Sequence, residues 1–214
     1  MDTLAMIKNT KLVAIARRVA VADIVKTAQA LHDGGIQCLE ITFDQSSSSC
    51  IQDTATSIQN VKKALGDVMS VGAGTVLTVE QARAAAAAGA DFALAPSTDV
   101  TVIAEMKRLG LTAIPGALTP TEIMTAWNAG ADIVKVFPAD ILGVAYIKAI
   151  RGPISHVPCM AVGGVTIDNV RTFLENGYCS CGIGSNVVRN DLIKAGNYAE
   201  LTALAKAFVA QKPC

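Results

Sequence analysis

Lys135 is the residue whose type and position point most directly to chemistry. It lies in residues 133–138 (Ile-Val-Lys-Val-Phe-Pro), an apolar run rich in β-branched residues that predicts a strand buried on both faces. An ammonium group is costly to bury, so a lysine in such a strand is either paired with an anion or kept neutral. Burial lowers the pKa of a lysine from its ordinary value of about 10.4. Because a neutral amine attacks carbonyl carbons, Lys135 indicates Schiff-base chemistry.

Glu40 is the carboxylate best placed to assist that amine. It lies in residues 38–43 (Cys-Leu-Glu-Ile-Thr-Phe), where strand alternation puts Cys38, Glu40 and Thr42 on one face. If that face lines a barrel interior, Glu40 approaches Lys135, and a carboxyl group with a raised pKa can shuttle the protons of Schiff-base chemistry. The alternative is a buried lysine–glutamate ion pair that only fills the interior, and the residue types favour the catalytic role.

The elements that must position these residues alternate between strands and helices. Glycines punctuate the chain at intervals of about one strand plus one helix, and helix starts are indicated at Thr78 and at Thr119-Pro120. Residues 88–92 and 129–133 are near copies, which predicts the same helix-to-strand corner used twice. Eight strands are predicted, over residues 12–16, 38–43, 69–72, 92–95, 112–114, 133–137, 160–162 and 179–183. We therefore expect residues 1–214 to form a single α/β domain, a (β/α)8 TIM barrel.

Composition narrows the class of function. The 214 residues are 51% hydrophobic and 17% charged, which suits one compact domain with a large core. Eighteen basic and eighteen acidic residues cancel, so we expect a small-molecule ligand, with no nucleic acid and no membrane as partner. No signal-peptide pattern is present in residues 1–10, and we expect a cytoplasmic protein.

Cysteine and histidine usage argues against a metal site. The six cysteines, at 38, 50, 159, 179, 181 and 214, show no C-x-x-C spacing and are expected to be free thiols. The two histidines, His32 and His156, have no ligand partner at a useful spacing. We therefore expect no metal and no cofactor, which favours amine chemistry.

In a barrel of this kind the chemistry lies at the carboxyl ends of the strands. The glycine loops after the last two strands offer backbone N–H groups that could receive a phosphate, although two glycines after a strand can also serve only a tight turn. The candidate positions at this end are Arg17, Glu40, Thr42, Gly74, Thr75, Pro96, Ser97, Pro115, Gly116, Lys135, Gly163, Gly164, Gly184 and Ser185.

Over essentially its whole length the chain resembles the 2-keto-3-deoxy-6-phosphogluconate (KDPG) aldolases, which often also accept 4-hydroxy-2-oxoglutarate (KHG). The resemblance is carried, in order, by residues 34–36 leading to 39–42, 71–76, 114–116 with 119–122, and 135–139. It implies a class I aldolase that releases pyruvate and an aldehyde, either glyceraldehyde 3-phosphate or glyoxylate. It also implies a (β/α)8 barrel, a homotrimer and no metal.

The resemblance assigns roles to individual positions. Lys135 forms the Schiff base, Glu40 moves the protons, and Thr75 helps to hold the keto-acid carboxylate. The remaining positions line the site: Arg17, Pro96, Phe137, Gly163, Gly164, Gly184 and Ser185.

Three departures from the family pattern bear on the substrate. Asp44 stands where many members have an arginine, Val162 where a threonine commonly precedes the paired glycines, and Asn186 where a tryptophan often follows the serine. A carboxylate in place of a guanidinium reverses the local charge and removes a bidentate anion partner, for which Arg17 or Arg18 is the candidate replacement. The aldehyde, the need for a phosphate and the C4 stereochemistry stay open.

Two other functions fit the same residues. A phosphosugar isomerase or epimerase would use Glu40 as a base and Lys135 as an electrostatic stabiliser, without a covalent step. A non-catalytic ligand-binding barrel would keep the two as a structural ion pair. The aldolase ranks first.

Overall fold

The computed structural model describes residues 2–213 and contains a ring of parallel strands surrounded by helices. The strands are β1 (Leu12–Ala16), β2 (Cys38–Thr42), β3 (Ser70–Gly74), β4 (Phe92–Leu94), β5 (Thr112–Ile114), β6 (Gly116–Ala117), β7 (Val134–Val136), β8 (Cys159–Val162) and β9 (Ser180–Ile183). The helices are α1 (Thr3–Thr10), α2 (Ile24–Asp33), α3 (Cys50–Leu65), α4 (Val79–Ala87), α5 (Val100–Arg108), α6 (Pro120–Asn128), α7 (Ala139–Arg151), α8 (Val170–Glu175), α9 (Asn190–Lys194) and α10 (Tyr198–Ala210).

The strand order β5-β4-β3-β2-β1-β9-β8-β7-β6 closes into a barrel, because β5 and β6 are consecutive segments of one run. β5 pairs with β4 and β6 pairs with β7, and the run changes partner at Pro115. Proline has no N–H to donate to a sheet, which explains the interruption. The predicted (β/α)8 fold is confirmed. The fifth predicted strand has its predicted bounds, and the short strand β6 that follows it after Pro115 was not predicted.

The barrel interior holds one apolar cluster and the outer layer another. Inward-facing residues of alternate strand positions form the inner cluster, and Ile7 of α1 packs into it. The outer cluster joins the other strand faces to the helices. Helix α1 was not predicted from the sequence. None of the helices within residues 2–213 combines the length and the apolar character needed to cross a membrane.

The two near-copy segments do form the same corner. The Asp91 carboxylate accepts from the backbone N–H of Val71 at 2.8 Å and pairs with Lys62 at 2.8 Å. The Asp132 carboxylate accepts from the backbone N–H of Ala113 at 2.8 Å and pairs with a lysine of α5 at 2.6 Å. Asp91 thus ties the start of β4 to β3 and α3, and Asp132 ties the start of β7 to β5 and α5.

Candidate active site

Lys135 and Glu40 face each other across the barrel. Lys135 is on β7 and Glu40 on β2, which are four strands apart in either direction around the ring when β5 and β6 are taken as one strand. Strand alternation turns both side chains inward, since Ile133 and Cys38, two residues before each, belong to the inner cluster. Only 5% of Lys135 and 1% of Glu40 is exposed.

Burial controls the protonation of both groups. It raises the pKa of Glu40, against the opposing effect of the charges of Lys135 and then Arg17. It lowers the pKa of Lys135, which the charge of Glu40 opposes and that of Arg17 reinforces. Within residues 2–213, neither group forms an ion pair within 4.0 Å, and Glu40 Oε2 has no hydrogen-bond partner. Burial therefore shifts both groups towards their neutral forms, an amine without its extra proton and a carboxyl group with one.

A cavity of about 390 Å³ opens at the carboxyl ends of β1, β7, β8 and β9. Phe137 lines it, and Lys135 Nζ lies 4.9 Å from the centroid of the Phe137 ring, so the amine is next to the cavity. Six predicted site residues line this cavity, namely Arg17, Phe137, Gly163, Gly164, Gly184 and Ser185.

A second cavity of about 250 Å³ is lined by Thr75 and shares Arg17 and Arg18 with the first. Of the residues expected to bind substrate or line the site, Pro96 lines neither cavity. Its backbone packs against Gly116, where an added Cβ would lie 2.4 Å from the Pro96 carbonyl oxygen. Pro96 therefore contributes to the close contact between neighbouring strand ends.

The two glycine loops are tied together. Asn186 Nδ2 donates to the carbonyl oxygen of Val165 at 2.7 Å, which links the loop after β9 to the loop after β8. Asn169 Nδ2 donates to the carbonyl oxygen of Gly164 at 2.8 Å. From the sequence, Asn186 stood out only as a departure from the family pattern, but in the structure its side chain links the two loops that line the first cavity.

Asp44 pairs with an arginine of the neighbouring loop. Its Oδ2 lies 3.2 Å from Arg18 Nε. Arg17 and Arg18 both line the two cavities, and Arg18 is the one paired with Asp44. Hydrogen bonds from the side chain and then the backbone of Ser46 lower the pKa of Asp44, and Arg18 adds to this effect. Asp44 is therefore an anion at neutral pH at the edge of the site.

Within residues 2–213, no group of three or more His, Cys, Asp or Glu side chains is placed to hold a metal ion. Five cysteines, at 38, 50, 159, 179 and 181, are free thiols, and Cys214 lies outside the described residues.

Comparison with known proteins gives a consistent result. The family model for KDPG and KHG aldolases matches residues 4–204. The 2-dehydro-3-deoxy-phosphogluconate aldolase of Treponema pallidum is 35% identical over 94% of this chain and 92% of its own length. The 2-dehydro-3-deoxy-6-phosphogalactonate aldolase of Escherichia coli is 36% identical over 92% of each chain.

Solved structures agree. A native KDPGal structure superposes with a TM-score of 0.84 and 32% identity over 94% of this chain and 93% of its own. The KDPG aldolase of Legionella pneumophila superposes with a TM-score of 0.86 and 27% identity over 97% of this chain and 98% of its own. In that crystal structure pyruvate was captured at low pH as a covalent carbinolamine intermediate.

Proposed function

From the premise that this chain belongs to the KDPG and KHG aldolase family and is therefore a lyase, we propose that it works through a Schiff base on Lys135. The proposed reaction cleaves a 4-hydroxy-2-oxo acid to pyruvate and an aldehyde. The observation that carries the proposal is the buried pair, in which the pKa of Lys135 is lowered and that of Glu40 raised. An aldolase of this type needs a neutral amine as nucleophile and a protonated carboxyl group as acid at the start of its reaction, and these pKa shifts favour both.

The reaction begins when neutral Lys135 attacks the C2 carbonyl carbon. Glu40 supplies the proton with which the C2 oxygen leaves as water, and a protonated imine remains. Glu40, acting through a water molecule, then accepts the proton of the C4 hydroxyl. The C3–C4 bond breaks, its electron pair moves into the imine to form an enamine, and the aldehyde is released. Protonation at C3 and hydrolysis release pyruvate and restore neutral Lys135.

The cavities suggest where each end of the substrate binds. We assign the keto-acid carboxylate to Arg17 and Thr75, because Arg17 is a cation that lines both cavities, whereas Arg18, which also lines both, pairs with Asp44. We assign a terminal phosphate to the glycine loops after β8 and β9, which offer backbone N–H groups. With KDPG or its galactonate isomer the aldehyde would be glyceraldehyde 3-phosphate, and with KHG it would be glyoxylate.

The wider proposal follows the family resemblance. We place residues 1–214 in one barrel domain that assembles as a homotrimer in the cytoplasm. The proposed chemistry uses the side chains of Lys135 and Glu40 and needs no metal or cofactor.

The deciding experiment is reduction with sodium borohydride in the presence of pyruvate, read by intact and peptide mass spectrometry. We expect one reduced pyruvyl adduct on Lys135. Lys135→Met should abolish the label, whereas Lys148→Met, at an exposed lysine of α7, should keep it. An unlabelled folded wild-type protein would overturn the Schiff-base mechanism and favour the isomerase or the binding barrel.

The substrate is identified by comparing kcat/KM for KDPG, its galactonate isomer and KHG. A preference for either phosphorylated acid supports the assignment of a phosphate to the glycine loops. Equal turnover of KHG would contradict a need for the phosphate.

A further inference from the structure

Thr75 has an unusual backbone conformation for its residue type. Its φ is +56°, in the left-handed region, and among residues 2–213 the other non-glycine residues with positive φ are Lys11 and Arg18. A β-branched residue is disfavoured in that region because its Cβ crowds the backbone. Such a conformation persists only where surrounding contacts hold it. Thr75 follows β3 directly and lines the second cavity.

A ring of three hydrogen bonds surrounds the turn that begins at Thr75. The backbone N–H of Leu77 donates to Gln81 Oε1 at 2.7 Å. Gln81 Nε2 donates to Gln45 Oε1 at 3.0 Å, and Gln45 Nε2 donates to the carbonyl oxygen of Thr75 at 3.0 Å. The three hydrogen bonds therefore run from the amide of residue 77 to the carbonyl of residue 75, and the backbone between these two residues closes the ring.

The two ends of the ring determine the orientation of both carboxamides. A backbone N–H can only donate, so Gln81 must present its oxygen to Leu77 and its NH₂ group to Gln45. The carbonyl of Thr75 can only accept, so Gln45 must present its NH₂ group there and its oxygen to Gln81. Neither carboxamide can be reversed without loss of hydrogen bonds at both of its contacts.

The ring is anchored in three separate parts of the fold. Gln81 is 5% exposed and lies in the first turn of α4, where its backbone N–H donates to the capping hydroxyl of Thr78 at 3.1 Å. Gln45 lies in the loop after β2, and its neighbour Asp44 pairs with Arg18 in the loop after β1. The α4 anchor thus holds the backbone at Leu77, and the anchor in the loop after β2 holds the Thr75 carbonyl.

We propose that Gln45 and Gln81 are positioning residues that hold Thr75 in its left-handed conformation to receive the carboxylate of the keto acid. This inference rests on the proposed function. The ring should affect binding of the keto acid and not the chemical steps. Its two carboxamides bond to each other and to the backbone of the turn, and neither bonds to Lys135 or Glu40.

The test uses Gln45→Met and Gln81→Met, which keep the length of the side chain but remove its hydrogen bonds. Gln81→Glu is the sharper variant, because it keeps an acceptor for Leu77 but cannot donate to Gln45 at neutral pH. Gln52→Met is the matched control, at an exposed position of α3 where the carboxamide donates only to Thr56. Thermal unfolding is measured for every variant.

The readout is exchange of the methyl protons of pyruvate with deuterated water, which reports formation of the enamine. In all three ring variants we expect the half-saturating pyruvate concentration to rise about five- to tenfold, and the limiting rate to stay within about twofold. Gln52→Met should match the wild type. The double variant Gln45→Met/Gln81→Met should be no worse than either single variant, because one break opens the ring.

Each outcome decides one question. Suppose that the wild type exchanges the methyl protons of pyruvate and that the ring variants have the same half-saturating pyruvate concentration as the wild type. The ring is then only structural, whether or not the melting temperature falls, and the inference is overturned. A loss confined to the limiting rate also overturns it. If the wild type neither exchanges pyruvate nor is labelled by borohydride, the proposed function fails, and this inference fails with it.

Discussion

The carboxyl group of Glu40 occupies the space where a side chain at position 74 would begin. A Cβ added to Gly74 would lie 1.6 Å from Glu40 Oε1 and 2.3 Å from its carboxyl carbon. Gly74 does not have a positive φ, so its backbone could accept another residue. The absence of a side chain at Gly74 is therefore what lets Glu40 lie against β3 inside the barrel.

Gly74→Ala is expected to displace Glu40 and to lower kcat by about 100-fold, the lower end of what general acid–base catalysis contributes. Steady-state turnover of the substrate identified for the wild type is the measurement. Gly152→Ala is the matched control, because a Cβ there would come no closer than 3.4 Å to the rest of the protein. Equal turnover in the two variants would show that the position of Glu40 does not matter for catalysis.

The burial of Lys135 and Glu40, the proposed catalytic pair, was predictable because its signals are local. Lys135 lies in an apolar run rich in β-branched residues, which indicates that it is buried. Glu40 lies two residues after Cys38, so strand alternation puts both on the same face of the strand. Gln45 and Gln81 carry no such signal. They are 36 positions apart, and nothing in the spacing of two glutamines indicates that their carboxamides meet.

The fold shows the same division. The strand patterns and the glycines at helix ends predicted the barrel, and no predicted strand end differs from the observed one by more than two residues. The short strand β6 after Pro115 was missed because it is defined by its pairing with β7, whereas β5 pairs with β4. That information is tertiary and does not appear in the local pattern.

The amine of Lys135 is expected to titrate below the ordinary pKa of a lysine, because burial is the largest influence on it. Glu40→Gln should move the midpoint to still lower pH, since the Glu40 charge raises this pKa. Arg17→Met should move it to higher pH, since the Arg17 charge lowers it. Competitive labelling of Lys135 with acetic anhydride across pH, without pyruvate, measures the midpoint. Shifts of the same sign in both variants would contradict this electrostatic account.

Lys135→Met should stabilise the fold while it abolishes labelling by pyruvate. A buried amine costs free energy in either protonation state, and methionine removes that cost, so we expect a gain of about 1 kcal/mol or more at neutral pH. That corresponds to a rise of about 2–4 °C in the melting temperature for a chain of this size.

The gain has a defined pH dependence. The unfolded chain binds the Lys135 proton more tightly than the folded one, so wild-type stability rises with pH between the lowered folded pKa and the ordinary lysine value. The advantage of Lys135→Met should therefore shrink as pH rises through that window. Lys148→Met, at an exposed lysine, should show neither the gain nor its pH dependence. An unchanged or lower melting temperature for Lys135→Met would mean that the amine is well solvated or paired.

The repeated corner predicts two equivalent losses of stability. Asp91→Ala and Asp132→Ala each remove an ion pair and an acceptor for a backbone N–H. Hydrogen bonds to charged groups contribute about 1.5–3 kcal/mol, and we expect each variant to lose about 2 kcal/mol in the free energy of unfolding. Pyruvate labelling of Lys135 should be unaffected in the folded protein. Asp67→Ala, at an exposed residue, serves as the control. Clearly unequal losses would mean that the two corners are alike in sequence but not in energetics.

Asp44 is expected to select against anionic aldehydes, because it is ionised and pairs with Arg18 at the edge of the site. Asp44→Asn removes one negative charge and frees Arg18 to attract an anion. In the synthetic direction, kcat/KM for glyoxylate or glyceraldehyde 3-phosphate should rise about two- to fivefold relative to uncharged glyceraldehyde. The ratio should fall towards the wild-type value as salt is added, because both residues are partly exposed to solvent. Asp67→Asn makes the same charge change at another exposed position, and an equal rise there would show that net charge, and not Asp44 itself, sets the preference.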